Sequence, residues 1–198
     1  MIEIIGIIGR MRSGKTTFAA KLNHVLGYEV MAFGEYVRRE LAEAWFAPLG
    51  GSDIGTFRDG WGELEQDWKA ELRPLLQAWG HGRRCLVDED YWVDALFEEA
   101  EKFGHSRIVI GDVRYPNEMK AILDRGGKII RLNAPTSLLL ERGATEEALA
   151  HPSEQALTNL SLLEISAHDD SVVIPADGTY SWIDVLRFIG YGEGVLDG

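Results

Sequence analysis

The sequence has little cysteine and no long apolar run. Cys85 is the single cysteine among 198 residues, so no intramolecular disulfide can form, and no Cys/His cluster has the spacing of a zinc site. No window approaches the roughly 20 apolar residues of a membrane span, and the first residues do not show the pattern of a secretory signal. These absences predict a soluble cytoplasmic protein without membrane contact.

Positive charge is also scarce. The chain carries 20 Lys and Arg against 32 Asp and Glu, a net charge of −12. We therefore expect no stable nucleic-acid binding, because basic side chains supply most of the affinity for a phosphate backbone. A small nucleotide needs only a few placed cations and stays compatible with an acidic surface. The 45% of hydrophobic residues supports one core, so we expect a single domain with inserted lobes.

One motif near the start of the chain predicts phosphate binding. Residues Gly9 to Thr16 read G-x-x-x-x-G-K-T, between a β-branched apolar run at Ile4 to Ile8 and a helical pattern that begins at Thr17. Such a loop points backbone N–H groups at the β-phosphate, while its lysine reaches the β- and γ-phosphates and its threonine binds Mg²⁺. The predicted nucleotide contacts are Gly9, Arg12, Ser13, Gly14, Lys15, Thr16 and Thr17.

Strand and helix patterns alternate along the rest of the chain. Strands are predicted at 28–33, 107–112, 128–132 and 172–175, and helices at 35–46, 63–79, 90–103, 116–125 and 181–189, with a loop at 48–62 and Gly80 and Gly82 as a helix stop. This alternation predicts the three-layer α/β fold of phosphate-loop NTPases, a parallel sheet with helices on both faces. The core would comprise 1–32, 105–134 and 155–198. An inserted helical substrate lobe would span about 33–104, and a lid with one short helix about 135–154.

A second strand ending in aspartate should complete the metal site. Ile108 to Asp112 fits better than Cys85 to Asp88, which is shorter and runs into further acidic residues. Thr16 and Asp112 are therefore the predicted metal ligands; a helix N-cap or a turn is the other role open to Asp112. Arg114, two residues on, could hold a phosphate bidentately or form a surface salt bridge.

The class of phosphate-loop protein follows from what accompanies the loop. A GTPase would show an N-K-x-D motif, and none is present. A motor ATPase would pair a longer apolar strand with Asp-Glu and act on a large partner. A short chain with an inserted lobe and a polar loop that bears arginine suits a small-molecule kinase that uses ATP and Mg²⁺.

Further motifs carry a family resemblance. They are Ala32 to Glu35 with Arg38, Leu72 to Gly80 followed by Arg83-Arg84, Asp90 to Val93, the segment D-V-R-Y-P-N-E at Asp112 to Glu118, and H-x-S-E at His151 to Glu154. With these motifs the chain resembles, over nearly its full length, the deoxynucleoside monophosphate kinases of tailed bacteriophages. It departs from them at Glu35, where that family usually has Asp, and in the spacing between Gly80 and Asp90.

The resemblance implies roles for individual residues. In the lobe, Arg73 and either Arg83 or Arg84 would hold the phosphate of a deoxynucleoside monophosphate (dNMP), while Gln77, Tyr91 and Trp92 would line its base and sugar. Core packing is an equal alternative for the two aromatic residues, and an N-cap for Asp90. The complete substrate set is Phe33, Arg38, Arg73, Gln77, Arg83, Arg84, Asp90, Trp92 and Asn117. The catalytic set is Lys15, Asp112, Arg114 and Arg142, with Arg131 as a further cation at the base of the lid.

The implied reaction transfers the γ-phosphate of Mg-ATP to a dNMP and yields a dNDP and ADP. Phosphoryl transfer needs alignment and cationic stabilisation, so no general base is assigned. The alternatives are a kinase of a hydroxymethylated pyrimidine, as a nucleotide or within phage DNA, and a nucleotide-binding regulator without turnover. The expected partners are ATP and the dNMP, and a homodimer is compatible with the sequence. A phage-encoded protein would act in the host cytoplasm.

Overall fold

The structure, a computed structural model, describes residues 2–46, 72–150, 154 and 170–191. Its strands are β1 (Glu3–Gly9), β2 (Glu29–Met31), β3 (Arg107–Val113), β4 (Lys128–Asn133) and β5 (Ser171–Pro175). Its helices are α1 (Lys15–Leu26), α2 (Phe33–Phe46), α3 (residues 72–86), α4 (Tyr91–Lys102), α5 (Pro116–Asp124), α6 (Thr136–Glu141), α7 (Glu146–Leu149) and α8 (Trp182–Ile189). Among these residues, no helix is long and apolar enough to cross a membrane.

The five strands form one parallel sheet in the order β2-β3-β1-β4-β5. This confirms the predicted α/β fold. The central strand β1 is apolar on both faces, as a parallel strand covered by helices must be, and Ile5 and Ile7 are fully buried. After β1 the chain continues to β2 at one edge of the sheet. After β3 it continues to β4, which lies on the opposite side of β1. The carboxyl ends of β1 and β3 are thus a topological switch point, where open α/β sheets bind ligands.

The chain divides into two compact units. The sheet unit comprises Met1–Met31 and His105–Gly198, and the helical unit comprises Ala32–Gly104. In the sheet unit, Phe18 and Leu22 of α1 and Val185 of α8 belong to a core that includes Ile5 of β1. In the helical unit, Trp92 and Leu96 of α4 are buried, as is Leu41 of α2. The single-domain organisation stays a prediction.

One predicted helix boundary is wrong. Gly80 and Gly82 do not end α3, which continues through both of them to residue 86. A glycine ends a helix by adopting a positive φ, and neither glycine does so here. Gly80 is instead buried, and its carbonyl oxygen accepts a hydrogen bond from Trp92 Nε1 at 3.0 Å. The predicted loop at 48–62 and the predicted start of this helix at Glu63 lie outside the described residues.

The segment predicted to be a lid contains more helix than the sequence predicts. Two short helices, α6 and α7, replace the single expected one. The Thr145 hydroxyl caps α7 by accepting the Ala148 N–H at 3.2 Å, a local signal that the polar composition conceals. Leu139 and Leu149 are buried in a small apolar cluster against which Met11 packs. The described part of this segment, up to residue 150, is therefore packed within the sheet unit.

Candidate active site

The phosphate loop that follows β1 has the backbone shape its motif predicts. Arg12 and Gly14 both adopt positive φ values, 64° and 92°, and the Ser13 N–H donates to the Arg10 carbonyl at 3.1 Å. The Phe18 N–H donates to the Gly14 carbonyl at 2.9 Å as α1 begins, so the N–H groups of the preceding residues point out of the helix N-terminus. Backbone donors and the helix dipole therefore converge on one anion-binding position.

Gly9 is required by close packing. A Cβ atom at this position would lie 2.5 Å from Ser13 Oγ and 3.0 Å from the Leu132 carbonyl oxygen. The latter contact is with the backbone of β4, which cannot move aside cheaply. Ser13 Oγ is itself buried without a hydrogen-bond partner, which is consistent with a polar ligand at the loop.

Lys15 folds back over the loop. Its Nζ donates to the carbonyl oxygens of Gly9 at 2.6 Å and Arg10 at 3.0 Å. Burial, and next the charge of Arg114, lowers the pKa of Lys15 to about 8, against the opposing effect of two carboxylates, Glu154 and Asp112. Two cations and two carboxylates therefore influence one another beside the loop.

A cavity of about 560 Å³ opens next to the phosphate loop. This volume is within the range of small-molecule sites. Its wall consists of the loop, the first turns of α1 and the segment after β5, namely residues Arg12 to Phe18, Lys21, Leu132, Arg142, Ala176, Asp177, Gly178 and Tyr180. Six of the seven predicted nucleotide-contact residues, all except Gly9, line this one space.

Arg142 of the lid segment lies on this cavity. Its Nη2 donates to the Ala176 carbonyl at 2.9 Å, and its Nη1 donates to the Arg12 carbonyl at 3.3 Å. The predicted lid arginine thus contacts both the phosphate loop and the segment after β5. Arg131 lies in β4, and burial lowers its pKa.

The end of β3 lies beside the phosphate loop because β1 and β3 pair, with Ile8 opposite Val113. The half-buried Asp112 and Arg114 flank Val113. The carboxylate of Glu118, which is 1% exposed, accepts the backbone N–H of Arg114 at 2.7 Å and that of Tyr115 at 3.1 Å. The segment D-V-R-Y-P-N-E is therefore a strand end, a turn held by its own glutamate, and the first turn of α5.

The donor set fits Mg²⁺ bound together with nucleotide phosphates. Thr16 is exposed in the first turn of α1, and Asp112 lies near the carboxyl end of β3, which pairs with β1. Mg²⁺ usually takes one or two protein ligands and completes its shell with phosphates and water. In the part of the chain that the structure describes, no group of three His, Cys, Asp or Glu side chains could hold a metal ion.

In the helical unit, Glu40 of α2 gathers three donors. It accepts hydrogen bonds from Arg83 Nε at 2.5 Å, Tyr91 Oη at 2.6 Å and Trp79 Nε1 at 3.1 Å. The Arg83 guanidinium also lies over the rings of Trp79 and Tyr91, at 5.3 and 5.4 Å from their centroids. Arg83 is thus held by one carboxylate and two aromatic side chains.

The other predicted substrate residues occupy varied positions. Trp92 and Phe33 are buried in the helical unit, so Trp92 takes the core position that was one of its two alternatives. Arg73, Gln77 and Arg84 are half-buried on α3. Arg38 forms an ion pair with Glu35 at 2.8 Å, Asp90 precedes α4 without a side-chain cap, and Asn117 lies in the first turn of α5.

The sequence reasoning missed three glutamates that organise these positions. Glu118 and Glu154 are the last residues of the D-V-R-Y-P-N-E and H-x-S-E motifs. Both motifs were recognised, but their glutamates were assigned no role. The Glu154 carboxylate accepts the Met11 N–H at 2.6 Å and pairs with Arg114 Nη1 at 2.7 Å. Glu40 stands in no motif, and no local signal could have identified it.

No family model and no curated protein sequence matches this chain. Its structure is similar to that of a sugar kinase from Janibacter sp. HTCC2649, at 15% identity over 98% of each chain with a TM-score of 0.54. The likeness establishes the fold. The chain has the α/β fold of that sugar kinase. A gluconokinase from Sinorhizobium meliloti 1021 superposes less closely, at 16% identity over 94% of this chain and 89% of that one, with a TM-score of 0.47.

Proposed function

We propose that this protein is an ATP-dependent kinase that transfers the γ-phosphate of Mg-ATP to a deoxynucleoside monophosphate. The observation that carries the proposal is the pairing of β1 with β3, which brings the phosphate loop that contains Lys15 beside the strand end that bears Arg114. One cation comes from a phosphate loop, and the other from a D-V-R-Y-P-N-E segment that resembles phage dNMP kinases.

The donor nucleotide would lie in the cavity beside the phosphate loop. The loop N–H groups and Lys15 would bind its phosphates, and Arg142 on the cavity wall would add positive charge. Mg²⁺, held by Thr16 and Asp112, would neutralise charge on the β- and γ-phosphates. Transfer through a loose transition state depends on alignment and on such cations, so these residues are sufficient for the chemistry.

The acceptor would be bound by the helical unit. Arg83 is already held by Glu40 and by two aromatic rings. A phosphate that recruited Arg83 would have to break a charge-assisted hydrogen bond, which favours Arg73 as the phosphate ligand. Gln77, four residues after Arg73, lies on the same face of α3 and would contact the base or sugar.

A substrate panel tests the proposal. We expect ADP release from Mg-ATP with at least one of dAMP, dCMP, dGMP, dTMP or 5-hydroxymethyl-dCMP, and none with gluconate or shikimate. Lys15→Ala should abolish turnover while leaving the circular-dichroism spectrum unchanged. Turnover of a sugar acid but of no dNMP, or full activity of Lys15→Ala, would contradict the proposal.

A further inference from the structure

A buried carboxylate joins two separate parts of the sheet unit that carry phosphate-binding groups. The side chain of Glu154 is 5% exposed. Its Oε2 accepts the backbone N–H of Met11 at 2.6 Å, and its Oε1 accepts Arg114 Nη1 at 2.7 Å. These partners lie 143 and 40 residues away along the chain. One side chain thus links the loop after β1 to the residue that follows β3.

The contact at Met11 holds the loop at a position that is not among the predicted nucleotide contacts. Met11 lies in the first half of the motif, where the Ser13 N–H already bonds to Arg10. The donors that converge on an anion belong to the second half, at the start of α1. Glu154 therefore fixes the course of the loop without competing for those donors, and it satisfies a backbone N–H that would otherwise be costly to bury.

The contact at Arg114 restrains a long side chain. Its backbone N–H is held by Glu118 at 2.7 Å, and its guanidinium by Glu154. The Arg114 side chain nevertheless remains 39% exposed, so a phosphate can still reach it. Holding both ends in place reduces the rotamer entropy that a bound phosphate would have to remove.

We propose that Glu154 is a positioning residue of the phosphate-binding site, which sets the shape of the phosphate loop at Met11 and aims the Arg114 guanidinium at bound phosphate. The inference rests on the proposed function for its nucleotide ligand, but it requires no particular acceptor. In this role Glu154 acts through Met11 and Arg114.

Nucleotide binding and amide exchange test the inference on the intact protein. The probe is the non-hydrolysable analogue AMP-PNP with Mg²⁺, measured by calorimetry. We expect Glu154→Ala to weaken binding about tenfold, the value of one lost charge-assisted hydrogen bond, and to speed hydrogen exchange at the Met11 amide. Glu154→Gln keeps an acceptor for Met11 and should weaken binding less. Glu141→Gln, which removes an exposed carboxylate at the end of α6, is the matched control and should change neither quantity.

A double-mutant cycle separates positioning from general stabilisation. In an Arg114→Ala background, Glu154→Gln should have little further effect on AMP-PNP affinity, because the group it aims is gone. Additive effects would overturn the role assigned through Arg114. A folded Glu154→Ala protein with unchanged affinity and exchange would overturn the whole inference, and Glu154→Gln decides the matter if the alanine variant does not fold. Tight AMP-PNP binding without turnover of any dNMP would refute the proposed function alone.

Discussion

Lys15 is the main phosphate ligand of the proposed site, and its buried charge also destabilises the folded state. Its ammonium group is largely buried, and this burial with the charge of Arg114 lowers its pKa from 10.5 to about 8. A lysine whose pKa is lower in the folded state destabilises that state at every pH where it stays charged in both. Below pH 8 the penalty is complete, between pH 8 and 10.5 it declines, and above that range it is gone.

We therefore expect Lys15→Met to be more stable than the natural protein at pH 7, by about 1–3 kcal/mol. The advantage should shrink between pH 8 and 10 because the natural protein gains stability as Lys15 loses its proton. Urea unfolding at pH 7, 8.5 and 9.5 measures the difference. Lys21→Met, which changes an exposed lysine of α1, serves as the control and should show no such trend. A difference that is constant across this range would contradict the burial argument.

Single residues also show where sequence reasoning succeeds and where it stops. Gly9, Gly14 and Lys15 could be identified because the chemistry of phosphate binding fixes their spacing in the chain. Glu154 could not, since its partner Met11 is 143 residues away and its role depends on which strands become neighbours. A buried carboxylate reveals its function only through the donors around it.

Among the elements, three helices of the helical unit meet at one side chain. Glu40 of α2 accepts hydrogen bonds from Trp79 and Arg83 of α3 and from Tyr91 of α4. The hydrogen bond between Tyr91 and Glu40 is the largest cause of the raised pKa of Tyr91. The carboxylate thus ties together the elements proposed to bind the acceptor.

Replacing this carboxylate should loosen all three helices. We expect Glu40→Ala to lower the free energy of unfolding by about 2–4 kcal/mol, because three donors lose their acceptor at a half-buried position. The KM for the acceptor should rise while the affinity for AMP-PNP in the sheet unit stays unchanged. Chemical denaturation and the two binding measurements check this, with Glu43→Ala on the exposed face of α2 as control. Loss of AMP-PNP affinity in Glu40→Ala would refute the assignment to the acceptor.

At the level of elements, periodicity was a good guide to the strands and a weaker one to helix ends. The apolar runs at Ile4 to Ile8 and Ile108 to Asp112 predicted β1 and β3 because both strands are covered on both faces. Gly80 misled, since a glycine in the interior of a helix and one that ends it look the same in sequence. The difference arises from tertiary packing against Trp92, which the chain pattern does not contain.

For the whole molecule, the net charge of −12 bears on its choice of partners. We expect no retention on double-stranded DNA at about 150 mM salt, because the surface repels a polyanion and non-specific affinity depends on basic side chains. A fluorescence-anisotropy titration with plain and hydroxymethylated duplexes measures this. Binding that weakens steeply with added salt would show a basic surface that composition conceals, and would revive the DNA kinase alternative.

The fold class of the whole chain was predictable, whereas the arrangement of charges around the site was only partly so. Alternating patterns and one loop motif were enough for a parallel sheet with Lys15 at its switch point. The strand order decides which residues join Lys15, and it is a long-range property. Arg114 was foreseen because its motif follows a strand, while the segment Ala176 to Tyr180 on the cavity wall bears no motif at all.

The position of β1 at the centre of the sheet has a consequence for synthesis. This strand is made before both of its hydrogen-bonded neighbours, β3 and β4, which follow about a hundred residues or more later in the chain. During translation the backbone N–H and C=O groups of β1 therefore have no strand partners until β3 and β4 are made. The loop closures that bring these strands together are long and slow. The phosphate loop is therefore encoded early and acquires its shape late, so a ribosome-bound chain that stops before residue 107 should carry the motif without the ability to bind nucleotide.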